Sequence, residues 1–219
     1  LSTRSARFST AVAHLLKVIK MVKFYSCEKI WNTLDVDGQK PAVTIVCSRV
    51  RGPGKTYSFC KKFLDLIFES EFSQKIAFLC RTQSEVGSVA EGALKSVMLD
   101  HYPAWEVCEK KKMGGAYSEV WIRALIPGYA EEGEKEEYEE HHIGYVLPLN
   151  SAQRLKSKSS LFVDVSWLYF DEFMPELHSG YISDEISKFQ LLYGSIARGG
   201  GASVRYVPIY MTSNTISMA

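Results

Sequence analysis

A triphosphate site needs backbone N–H groups turned inward, a lysine for the outer phosphates, a hydroxyl for a magnesium ion and a helix N-terminus behind them. The segment "RGPGKT", residues 51–56, supplies each of these. Gly52 and Gly54 permit a tight turn without a Cβ clash, Lys55 can reach the β- and γ-phosphates, and Thr56 offers a hydroxyl to Mg²⁺ at the start of a helix. The strict pattern G-x-x-x-x-G-K-[ST] opens on glycine, whereas Arg49 stands at that position here. The loop therefore depends on Arg49 finding a permitted backbone geometry.

Far downstream, "LYFDEF" (168–173) is an apolar run that ends in two acids. Asp171, at the end of a strand, stands where a second magnesium contact belongs, and Glu172 follows it directly. A nucleoside kinase or a switch GTPase needs no carboxylate at that second position. A hydrolase does, because a glutamate beside the metal aspartate can polarise an attacking water. The pair points to turnover of ATP.

Two further places carry polar groups at the ends of apolar elements. In "TSN", Thr212 to Asn214, Ser213 or Asn214 either senses a γ-phosphate and positions water or caps a turn. Arg198 ends a helical pattern just before three glycines, where a cation either pairs with the last carbonyls or reaches into a neighbouring subunit's site. The nucleotide-binding set is read as Arg51, Gly52, Pro53, Gly54, Lys55, Thr56 and Tyr57 together with Asp171 and Asn214, with Thr56 and Asp171 as metal ligands. Glu172, Arg198 and Lys55 are the catalytic candidates.

The elements that must position these residues are legible in the hydrophobic pattern. Ala42 to Cys47 is a short run rich in Val, Ile and Thr, expected to be a buried strand. After the glycine loop, Phe59, Phe63, Leu64, Ile67 and Phe68 recur at spacings of three and four, one face of a helix. "KIAFLC" (75–80) reads as a second buried strand, with helical spacing over Ser84 to Leu99. Residues 102–149 change to short β-like pieces, read as an inserted β-hairpin region. "SWLYFDEF" is a third buried strand, Tyr181 to Ala197 a helix, and "VRYVPIYMTSNT" a last strand.

The chain has 219 residues, 46% of them hydrophobic and 12% aromatic, enough for a full core in a single domain. Its 26 Lys and Arg nearly cancel 25 Asp and Glu, so any basic surface must be local. The local clusters are Lys110, Lys111 and Lys112, and Arg154, Lys156 and Lys158, which by themselves read as solvated loops. The acidic run from Glu131 to His142 reads as a solvated loop or hairpin tip. A metal site there is disfavoured because His141 and His142, adjacent on a strand, cannot face one way. Five widely spaced cysteines with no C-x-x-C pair read as free buried thiols. No apolar run reaches the roughly 18 to 20 residues needed to cross a bilayer. Tyr25 and Phe24 either stack on a base or pack in the core. Residues 1–20 carry Arg4, Arg7, Lys17 and Lys20 without an acid, and read as an extension of vector or upstream origin rather than a transit peptide.

Taken in order, "RGPGKT", "CRTQSE", "YVLPLNSAQRLKSKS", "LYFDEF", "YISDEISKFQLLYGSIAR" and "MTSNTIS" resemble the DNA-packaging ATPases of small tailed phages of the φ29 type, over residues 23–217. The resemblance implies an α/β P-loop NTPase of the additional-strand, catalytic-glutamate type. Its largely parallel central sheet, flanked by helices, would place the Walker B strand between the phosphate-loop strand and the next. It also implies a homo-oligomeric ring on the phage portal, in the host cytoplasm and attached to the prohead, that uses ATP and Mg²⁺ to pump double-stranded DNA, with the clusters at Lys110, Lys111 and Lys112 and at Arg154, Lys156 and Lys158 as candidate contacts to its phosphates. By position, Lys55 and Thr56 match the Walker A pair, Asp171 and Glu172 the Walker B pair, and Arg198 the trans-acting arginine finger. Arg51 matches an arginine those relatives also carry, and Ser213 with Asn214 matches the motif thought to couple hydrolysis to movement. Such ATPases usually continue into an RNase H-like domain, so residues 21–219 are expected to be an isolated ATPase domain with weakened ring assembly and DNA grip. Two other classes compete: a nucleoside or nucleotide phosphotransferase, for which Glu172 is surplus, and a nucleotide-gated assembly protein with little turnover.

Overall fold

The computed structural model describes residues 25–48, 52, 54–126, 137–175, 180–198 and 204–214. Seven strands form one sheet in the order β1-β7-β6-β2-β5-β4-β3. The strands are β1 (Val43–Ser48), β2 (Lys75–Cys80), β3 (Trp105–Lys112), β4 (Tyr117–Leu125), β5 (Tyr138–Pro148), β6 (Val165–Asp171) and β7 (Ile209–Asn214). β1, β7, β6, β2 and β5 pair in parallel, while β4 and β3 add antiparallel strands at one side. The helices are α1 (Glu28–Trp31), α2 (Lys55–Glu69), α3 (Val89–His101), α4 (Ala152–Leu155) and α5 (Glu185–Arg198).

Parallel strands flanked by helices must bury both faces, which is why β2 and β6 read as unbroken apolar runs. On one face Ile76, Phe78, Trp167 and Tyr169 pack under Phe59, Phe63, Leu64 and Ile67 of α2 and Ala90, Leu94 and Val97 of α3. On the other, Ala77, Leu79, Leu168 and Phe170 meet Ala152 and Leu155 of α4 and Leu192 and Ile196 of α5. The result is a sheet between two helical layers. Every parallel strand points its C-terminal end the same way, so Ser48, Arg81, Asp171 and Asn214 gather along one edge.

Several expectations need correction. β1 is not buried: it is the outer strand, and Val43 and Ile45 are 45% and 57% exposed. A Val/Ile/Thr run looks the same at an edge as at a centre. The region 102–149 does form the antiparallel strands expected there, and β5 pairs with β2 and so carries β4 and β3 into the main sheet. Gly144 makes that join possible, since a Cβ there would collide with the Ile76 carbonyl oxygen. The helix expected from Ser84 begins only at Val89, after a short 3₁₀ turn over Gln83–Glu85 and Gly87 at φ 104°. The helix expected from Tyr181 begins at Glu185, after Asp184 at φ 54°. Cys27, Cys60 and Cys80 are buried free thiols, but Cys47 is exposed and Cys108 only half-buried.

The second half of the acidic run lies on β5 rather than in a loop. Lys110 on β3 pairs with Glu140 at 2.6 Å, and Lys112 with Glu119 at 3.1 Å, so this lysine cluster is largely matched by acids. His141 stacks on Phe72 at 3.8 Å while His142 stacks on Trp121 at 5.1 Å, on opposite faces as strand alternation requires. Burial holds the His142 pKa below its ordinary value. Among the described residues no group of three or more His, Cys, Asp or Glu side chains converges on a metal position. Tyr25 packs its ring 6.3 Å from Phe59 of the core. No described helix is long and apolar enough to cross a membrane. Phe24, residues 1–20, residues 131–136 and Gly199 to Gly201 lie outside the described residues.

Candidate active site

α2 starts where the glycine loop turns inward. Gly54 is its N-cap at φ 84° and Gly52 stands at φ 79°, both left-handed, a region that favours glycine. Lys55 is 6% exposed, and its Nζ donates to Ser48 Oγ at 2.8 Å and to Asn214 Oδ1 at 2.9 Å. The ends of β1 and β7, paired in register at Ser48 and Asn214, thereby hold the ammonium group between them. Thr56 donates from Oγ1 to Asp171 Oδ2 at 2.5 Å, across 115 residues of sequence. The glycine loop and the acids that end β6 therefore meet at one point.

A cavity of about 380 Å³ opens there, lined by Gly52, Gly54, Lys55, Thr56 and Tyr57 on one side and by Asp171, Glu172, Ser213 and Asn214 on another. The third wall is α3, through Gly92, Ala93 and Ser96. Sequence reading missed this wall, because small residues carry no chemical signature. Tyr57 ties the wall to the loop helix: its hydroxyl donates to Asp100 at 2.7 Å and lies 2.9 Å from His101 Nε2. Burial and the Asp100 bond push its phenol pKa up to about 12, so it stays a neutral donor.

Glu172 is exposed and stands at φ 48°, a left-handed conformation that a non-glycine residue adopts only where its surroundings hold it. Arg81, the residue after β2, does the holding. Its guanidinium donates to the Glu172 carbonyl at 3.0 Å and to the Phe173 carbonyl, pairs with Glu185 at 3.2 Å, and lies 5.1 Å from the Phe170 ring centroid. Glu172 itself lines the cavity. The arginine sits in the motif "CRTQSE", but its role depends on β2 lying beside β6, which no local signal announces.

Arg198 is not in this cavity. It ends α5, is exposed, and stands a 14-residue helix, about 21 Å, from the Glu185 end that Arg81 ties to the site. Arg49, Arg51 and Pro53 lie outside the described residues. Thr56 and Asp171 offer hard oxygen donors, with no cage of further carboxylate, His or Cys ligands around them among the described residues. That set suits Mg²⁺, which takes its remaining ligands from phosphates and water.

The geometry can be set beside proteins of known structure. The N-terminal domain of the DNA-packaging ATPase from bacteriophage phi29 superposes with a TM-score of 0.55 and 19% identity, over 90% of this chain and 81% of that one. The fold is that of a phage DNA-packaging ATPase domain. The Phi-28 gp11 DNA-packaging motor is similar at TM-score 0.55 and 17% identity, over 87% of this chain. The chain spans about half, 49%, of the length of that motor protein. A large terminase from a thermophilic bacteriophage, in complex with ADP, aligns over 77% of this chain and 33% of its own at TM-score 0.38 and 13% identity, too distant to carry weight. No protein-family profile and no curated protein sequence matches the chain.

Proposed function

We propose that the chain hydrolyses ATP, and that a ring of its copies on a phage portal uses this turnover to move double-stranded DNA into a prohead in the host cytoplasm. The observation that carries the proposal is the meeting of Thr56 with Asp171, which brings Lys55 and Glu172 to the same cavity at the C-terminal edge of a parallel sheet. β7 lies between β1 and β6, which supports the additional-strand, catalytic-glutamate type. Likeness in fold to a phage packaging ATPase domain supports DNA as the cargo and residues 21–219 as its ATPase domain.

Phosphoryl transfer asks for positioning and charge stabilisation more than for covalent chemistry. In this reading the backbone amides of Gly52, Gly54, Lys55 and Thr56 cradle the phosphates, and Lys55 neutralises the outer ones. Thr56 and Asp171 would hold Mg²⁺, which when bound would supply positive charge against that of the phosphates. Glu172, its backbone fixed by Arg81, accepts the proton of the attacking water. Asn214 accepts a hydrogen bond from Lys55 and can report the state of the phosphates to β7. In this reading Arg198, which does not line its own cavity and is exposed at the end of α5, serves a neighbour's. Arg51 and Pro53 complete the loop in this reading.

Product analysis tests it. With ATP and Mg²⁺ alone, ADP and inorganic phosphate should form in equal amounts with no acceptor present. Phosphate recovered on an added nucleoside monophosphate would identify a phosphotransferase, and nucleotide binding without turnover would identify a nucleotide-gated assembly protein.

A further inference from the structure

Behind the Thr56–Asp171 contact lies a buried chain of hydroxyls. Thr212 Oγ1 donates to Asp171 Oδ1, the carboxylate oxygen that Thr56 does not use. Tyr169 Oη lies 2.9 Å from Thr212 Oγ1. A threonine hydroxyl carries one hydrogen, and a carboxylate only accepts, so Thr212 gives its hydrogen to Asp171 and must receive one from Tyr169. The direction of the chain is fixed: Tyr169 to Thr212 to Asp171. Tyr169 and Thr212 are 1% and 0% exposed, and no water competes for either group. The Glu172 amide adds a bond to the same Asp171 oxygen at 3.0 Å.

We propose that Tyr169 and Thr212 are positioning residues for the metal. Together they fix the plane of the Asp171 carboxylate so that its Oδ2 edge, and only that edge, faces Thr56 and the cavity. A carboxylate on a single bond can rotate, and an Asp171 turned out of this plane would aim no oxygen lone pair at Thr56 and the cavity. Partners that orient a metal ligand from behind are typically worth about 10- to 100-fold in metal affinity. Residues 169, 171 and 212 come from two adjacent parallel strands, with Asp171 opposite Thr212 in register, so the sheet itself sets the alignment. The inference rests on the reading of Thr56 and Asp171 as magnesium ligands.

The test is Mn²⁺ binding to the whole chain in the presence of ADP, followed by the loss of the free-ion electron paramagnetic resonance signal. ADP affinity without metal is measured beside it. Thr212→Val should weaken Mn²⁺ binding about tenfold or more, Thr212→Ser should restore it, Tyr169→Phe should give a smaller loss, and metal-free ADP affinity should not change in any of them. Asp171→Asn separates the two levels. If Asp171→Asn loses Mn²⁺ while Thr212→Val and Tyr169→Phe bind it like the parent, the relay is wrong and the metal reading stands. If Asp171→Asn also keeps Mn²⁺, both are wrong. Should Thr212→Val fail to fold, Tyr169→Phe, which removes one hydroxyl and keeps the ring, carries the test alone.

Discussion

Glu172→Gln should lower the rate of ATP hydrolysis by about 10²- to 10⁴-fold, the usual share of a positioned general base, while leaving affinity for MgATP unchanged. Glutamine keeps the shape of the side chain and removes its ability to take a proton. Among the described residues Glu172 is held through its backbone, by Arg81 at its carbonyl and by Asp171 at its amide, and not through its carboxylate, so the substitution leaves the loop as it is. Single-turnover phosphate release and nucleotide binding, measured on the same preparation, separate the two effects. Equal loss of binding and turnover would mean that Glu172 holds substrate rather than activating water.

The second large effect is on stability. Phe63→Ala should destabilise the fold by about 3–5 kcal/mol, read as a lower urea midpoint at unchanged slope. Phe63 is fully buried on α2, and its ring lies within 5.5 to 6.2 Å of Phe59, Trp31, Trp167, Tyr169 and Tyr210. These aromatics join the helix that carries Lys55 and Thr56 to the strand that carries Asp171 and to the strand that ends in Asn214. The cluster that holds the fold together thus also holds the site in register. A cost below about 1 kcal/mol would mean that the neighbours collapse into the gap, and that the rings do not bind the layers as described.

What was legible in the sequence follows from how local each signal is. Lys55, Thr56, Asp171 and Glu172 were legible because phosphate chemistry dictates both residue type and position at strand ends. All four line the cavity. The central strands and α2 were legible because burial on both faces, or on one helical stripe, leaves a periodic trace. Arg81 and Thr212 were not assigned roles, since each acts on a residue from a neighbouring strand and the strand order is invisible locally. The α3 wall of Gly92, Ala93 and Ser96 escaped because its contribution is the space it leaves. The false start of α3 has a local cause: Glu85 bonds back to the Thr82 amide at 2.9 Å and closes a short turn of its own, which continues the hydrophobic spacing without continuing the helix.

The central claim is a hydrolytic site completed by a neighbouring copy, and steady-state ATP hydrolysis against protein concentration tests it most directly, with Arg198→Ala alongside. The account predicts that specific activity rises as copies associate, and that Arg198→Ala stays low at every concentration while still binding MgATP. Activity that is flat with concentration and indifferent to Arg198 would show a self-sufficient site, and would contradict the ring-motor reading.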